Sequence, residues 1–267
     1  MATFKKVFNW SLCILVLFVL TVEVSLILSY EAEILDHEIV LIGIAAFFGA
    51  FFVFVFDRFS KRLSAFRKGN NEHFNALVKI ERLLNRTMAQ LDKNAKLGRD
   101  DINALNSMKI LVWNLPPIPF SHELADNLKN IDFVNDYFDF MMGIESLNHD
   151  LNVMMTAYNE VKSMSLGKTI SPEHYKDNVI FIIKQVSEII KFMESYQAET
   201  TELLAKARIL LKEREHRIFL LGARPRRHYD KNIGQQQHKE LLALKSEIEL
   251  TKKKSREEIN KTKRATT

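Results

Sequence analysis

Three prolines stand within four residues at Pro116, Pro117 and Pro119. Each lacks the N–H that an α-helix uses, fixes its own φ, and disfavours helical backbone in the residue before it. The segment Leu115-Pro116-Pro117-Ile118-Pro119 therefore separates whatever helices precede it from those that follow. The rest of the 267-residue chain has two further prolines and eight glycines in all. That scarcity fits long helices and argues against a turn-rich β fold.

Upstream of the prolines, Leu77, Ile80, Leu84, Met88, Leu91, Ala95, Gly98, Ile102, Leu105, Met108 and Val112 recur every three or four residues, one apolar stripe on a long helix. Gly98 and the following Arg99-Asp100-Asp101 predict a break or kink in it. Downstream, Ser121 with Glu123 predicts a helix start. Leu124, Leu128, Ile131, Val134, Phe138, Met141, Leu151, Met154, Tyr158 and Val161 form the next stripe. Gly167-Lys168-Thr169 reads as a turn and not a phosphate loop, because position 162 is lysine where that pattern needs glycine. Ser171-Pro172-Glu173 is a third helix start, with a cap, a proline at the first position and an acid behind it. Three long helices joined by two short breaks predict an antiparallel bundle over residues 69–222.

Residues 223–267 differ in character. A basic break precedes a last helix over about 235–260, whose sparse apolar positions suggest a coiled-coil edge. Residues 212–267 hold sixteen Lys or Arg against eight Asp or Glu.

Residues 1–68 carry two apolar runs, 8–29 and 39–56. Roughly twenty helical residues cross a hydrocarbon core of about 30 Å. Lys5 and Lys6 precede the first run, and Arg58, Lys61, Arg62, Arg67 and Lys68 follow the second; the loop between has no Lys or Arg. This asymmetry predicts cytoplasmic termini. The expected fold class is thus all-α: an N-terminal two-helix transmembrane hairpin, a long antiparallel cytoplasmic helical bundle, and a basic C-terminal helix and tail. The expected localisation is a multi-pass integral protein of the bacterial inner membrane.

Candidate functional residues fall into three groups. Glu23 is the one charge inside a predicted span, where a carboxylate lines a polar path or reaches toward headgroups. Ala45 with Gly49, and Ala46 with Ala50, set small residues four apart, which suits close helix packing or self-association. Arg224, Arg226, Arg227, Lys252, Lys253 and Lys254 are candidates for binding phosphate or a partner, with nucleic acid or anionic lipid as ligands. The single Cys13 excludes an intrachain disulfide. No zinc-protease, nucleophile-elbow or dinucleotide motif is present. Asp132, Asp136, Asp139 and Glu145 share a helix, but His149 stands four residues after Glu145, the wrong spacing for a di-metal carboxylate bundle. These acids read as solvated charges. No cofactor and no catalytic or metal residue is expected.

The order of apolar hairpin and cytoplasmic helices resembles that of bacterial two-span membrane effectors in phage-defence modules. The resemblance implies a non-enzymatic effector or pore-forming subunit, self-associating through the hairpin and released by a cytoplasmic protein partner. The other expectation is a tethered coiled-coil scaffold that holds a soluble partner, nucleic acid or anionic lipid.

Overall fold

A computed structural model describes residues 37–107, 114–212 and 225–265. Among them the regular structure is helical, without strands: α1 (His37–Asn106), a 3-10 turn (Glu123–Ala125), α2 (Ile131–Leu166), α3 (Pro172–Lys212) and α4 (Ile233–Ala265). The chain divides into two compact units between residues 67 and 68, and α1 contributes to both.

In the first unit, Phe47 stacks on Phe51, Phe48 on Phe52, and Arg58 lies over the ring of Phe54 at 5.8 Å. The transmembrane hairpin expected here is corrected. Among the described residues no helix is long and apolar enough to cross a membrane. The apolar stretch of α1 ends at Phe56, and the next six residues bring Asp57, Arg58, Lys61 and Arg62. The run 8–29 lies outside the described residues. The absence of a spanning helix among the described residues contradicts the expected localisation as a multi-pass protein of the bacterial inner membrane.

In the second unit, α3 is the axis on which the other helices pack. Its buried face runs through Val179, Ile182, Val186, Ile189, Ile190, Met193, Leu203, Leu204, Ala207 and Leu210. In the same core cluster are Phe74, Leu77, Ile80, Leu84 and Leu91 of α1, and Phe133, Tyr137, Phe140, Met141, Ile144 and Leu147 of α2. Helix directions follow from the cross-contacts. Glu81 meets Arg208, Met88 meets Thr201 and Arg99 pairs with Glu194, so α1 and α3 are antiparallel. Asp136 meets Lys206 and Gly143 meets Tyr196, so α2 and α3 are antiparallel too. It follows that α1 and α2 are parallel. Glu240 meets Lys212 and Glu247 meets Arg208, which sets α4 antiparallel to α3.

The parallel pair differs from the expected simple antiparallel bundle, and the proline segment is the reason. Residues 114–130 do not make a short turn. They run back along α1, from Asn94, which donates to the Pro116 carbonyl, to Thr87, which donates to the Pro119 carbonyl, and on to His73 and Asn70, which meet Lys129. Asn94 and Thr87 are two helical turns apart, about 10 Å. Three residues of extended polyproline backbone advance about 9 Å, so the prolines suit the span they cover. On the other side the Asn148 side chain of α2 forms a reciprocal pair with Ile118. Its Oδ1 accepts from the Ile118 N–H at 2.8 Å, and its Nδ2 donates to the Ile118 carbonyl at 2.8 Å. Leu115 and Ile118 are buried between these contacts.

The start of α2 moves accordingly. Ser121 does not cap a helix; its carbonyl accepts from the Tyr137 hydroxyl at 2.6 Å. The cap is the buried Asn130, whose Oδ1 accepts from the Phe133 N–H. α3 starts as read, with Ser171 Oγ accepting from the His174 N–H ahead of Glu173 in the first turn. α1 runs unbroken through Gly98, where an added Cβ would stand 3.0 Å from Ile190 Cδ1. That glycine permits close approach of α3 and is not a hinge.

Removing the Asn148 amide should leave both polar groups of buried Ile118 unpaired. Asn148→Ala is expected to destabilise the protein by about 3 kcal/mol in chemical denaturation, the sum of two such losses. His73 supplies a second test. It is buried, its Nδ1 accepts from the Lys129 N–H at 3.1 Å, and burial together with the Lys129 charge lowers its pKa to about 4. The unfolded chain binds this proton near pH 6.5 and the folded chain does not. The stabilisation is full above pH 6.5 and drains as pH falls toward 4. Unfolding free energy should drop by about 2 kcal/mol more between pH 7 and 4.5 in the wild type than in His73→Asn.

Candidate docking surface

α2 buries one side and presents another to solvent. At 3.6 residues per turn, Ile131, Phe138, Met142, Val153 and Met164 fall along one outward stripe. Their separations of seven, four, eleven and eleven residues keep that stripe nearly straight over about 50 Å. All five are exposed, Met142 at 63 % and Val153 at 42 %. A large apolar side chain left in water on its own is ordinary; five on one face are not, and between them on that face stand the exposed His149 and Glu160. At one edge of the row, Phe120 and Phe138 hold the His122 ring, stacked on Phe138 at 5.8 Å and edge-on to Phe120 at 5.7 Å. His122 Nε2 lies 3.2 Å from Glu145 Oε2, while its Nδ1 is buried without a hydrogen-bond partner.

The charge of α2 is one-sided. It has six Asp or Glu and a single lysine. Two of the acids hold the basic segment after Pro225. The Ile131 N–H donates to the Arg227 carbonyl at 2.7 Å. Asp132 accepts from the Tyr229 N–H at 2.8 Å and pairs with His228. Those two contacts hold its carboxyl below the usual carboxylate range. Asp136 accepts from the Tyr229 hydroxyl at 2.7 Å and from Lys206 at 2.6 Å. Burial first, then the Asp136 bond, raises the Tyr229 phenol well above its ordinary value. Asp139 and Asp150 are exposed beside the apolar row, Glu160 is exposed within it between Val153 and Met164, and none of the three makes an ion pair among the described residues.

The residues singled out from sequence are dispersed. Glu23 and Arg224 lie outside the described residues. Ala45, Ala46, Gly49 and Ala50 are exposed on α1, and a Cβ added at Gly49 meets nothing within 4 Å. Arg226 pairs with Asp230, and Arg227 is exposed and lends its carbonyl to Ile131. Lys252, Lys253 and Lys254 lie on α4. Among the described residues no group of three or more His, Cys, Asp or Glu is placed to hold a metal. The role of Asp132 and Asp136 was missed, because nothing in the local pattern tells that a loop a hundred residues later returns to them. The outward row of α2 is legible only in part: the sequence pattern places Ile131 and Phe138 in the core stripe, and the structure exposes both.

No protein-family model, no curated protein and no solved structure matches the chain.

Tyr229→Phe removes one hydroxyl donor from Asp136 and keeps the ring under Lys206. It should cost about 1 kcal/mol of stability. Amide exchange of Ile131, whose N–H depends on the position of the same loop, should speed up several-fold, while exchange at Ile144 stays unchanged.

Proposed function

We propose that the chain is a non-enzymatic scaffold or adaptor whose helical unit receives a protein partner on α2. The observation that carries this reading is the exposed row Ile131, Phe138, Met142, Val153 and Met164 on a 36-residue helix. The described interior supports it from the other side. Buried Asn94 and Thr87 hold backbone of the return segment, and the Oδ1 of buried Asn130 caps α2. A membrane effector requires a spanning hairpin; a scaffold requires only a persistent surface, and α2 supplies one. Soft Met142 and Met164 on that surface adapt to a partner's side chains.

A photo-crosslinking amino acid at position 142 should give discrete protein adducts in the native cell. One at the exposed position 191, on α3, should give none. Equal adduct patterns from both positions, or no adduct from 142, would sink the scaffold reading.

A further inference from the structure

The partner's chemistry can be read from what lines the apolar row. We propose that the α2 row binds a basic amphipathic helix of another protein, its apolar stripe on Phe138, Met142 and Val153 and its Lys or Arg residues beside Asp139, Asp150 and Glu160. This rests on the scaffold reading and adds the occupant to it. Three observations select this occupant.

The first is charge. The whole chain is net positive, yet α2 has six acids to one lysine, and Asp139 and Asp150 beside the row and Glu160 within it have no cation partner among the described residues. A basic helix gains an attractive field there, and an acidic one is repelled. The same field turns away nucleic acid and anionic surfaces.

The second is precedent within the molecule. At Asp132 and Asp136, α2 already takes cationic or imidazole groups from elsewhere in the chain. His228 and Lys206 sit on Asp132 and Asp136, and the Arg227 carbonyl caps the Ile131 N–H. Asp139 and Asp150 continue the line of Asp132 along the helix, at about the same angle around its axis.

The third is shape. Spacings of seven, four and eleven residues suit a helix lying alongside, with anchors recurring at i, i+4, i+7 and i+11. A second copy of this chain fits less well. Two α2 rows facing each other across a two-fold axis would oppose like acids. The basic end of α4 offers charge, but Ile259 is the only large apolar residue from 251 to 265.

The test uses the full chain and two labelled synthetic eighteen-residue helices with identical leucine stripes, one with lysine and one with glutamate at every other position. The lysine helix should bind at least tenfold more tightly than the glutamate helix. Met142→Lys, and separately the pair Asp139→Lys with Asp150→Lys, should each weaken its binding at least fivefold. Glu188→Lys on α3 should leave it unchanged, and helical content by circular dichroism should be the same for all. Equal binding of the two helices, or α2 variants that bind as the wild type does, overturns the basic-helix proposal. So does light scattering that shows a dimer dispersed by Met142→Lys, which would assign the row to a second copy. If position 142 still yields its discrete adducts in cells, the scaffold reading survives that failure.

Discussion

Two amide side chains and one hydroxyl hold an extended segment in place, and the arrangement of the bundle depends on them. Asn94 and Thr87 from α1 and Asn148 from α2 bond to the backbone between Pro116 and Pro119. Prolines supply no N–H, so their carbonyls are the groups that need partners in a buried place. Side chains supply them because no neighbouring strand exists among the described residues. With the segment pinned, α2 begins beside residues 70 and 73 of α1 instead of beside its far end. Parallel α1 and α2 then flank α3, and α2 is left with a face that no described helix covers.

Electrostatics tie the remaining elements to this frame. Arg208 of α3 bonds to Glu81 of α1 through Nε and to Glu247 of α4 through Nη1, one guanidinium joining three helices. Its planar fork suits two carboxylates at once in a way that a lysine ammonium does not. Both carboxylates and the partly exposed guanidinium are within reach of solvent, so each pair alone is worth little. Their value lies in fixing the register of three helices along one another. Asp132 and Asp136 do the same for the segment that leads into α4.

Helix content and the position of the breaks were legible from proline, glycine and the three-to-four spacing of apolar residues. Ser171-Pro172-Glu173 reads correctly because its signal is local: a cap, a fixed φ and a helix dipole. Ser121-His122-Glu123 carries a similar signal and fails. The energy of docking 114–130 along α1 outweighs a cap worth about 1 kcal/mol. Gly98 fails as a break for the same kind of reason, since Ile190 of α3 fills the space above it. The apolar runs of the first sixty residues were read as a membrane hairpin on hydropathy and charge placement, and the described part of α1 does not supply a span. Asp132, Asp136 and Tyr229 were out of reach, because a contact across more than ninety residues leaves no mark on either local pattern.

The pairing of Glu81 with Arg208 spans 127 residues of chain. A ribosome adding about 5–20 residues per second makes that separation a delay of roughly ten seconds. Through it, Leu77, Ile80 and Leu84 of α1 are already synthesised while the α3 face that buries them is not. The nascent protein thus carries a long apolar stripe before its α3 partner exists, and the return segment, which follows within about twenty to forty residues, bonds along that helix well before α3 is made. In the life of the molecule the proline segment acts before it acts in the fold, as an early cover over a helix whose lasting partner has yet to be made.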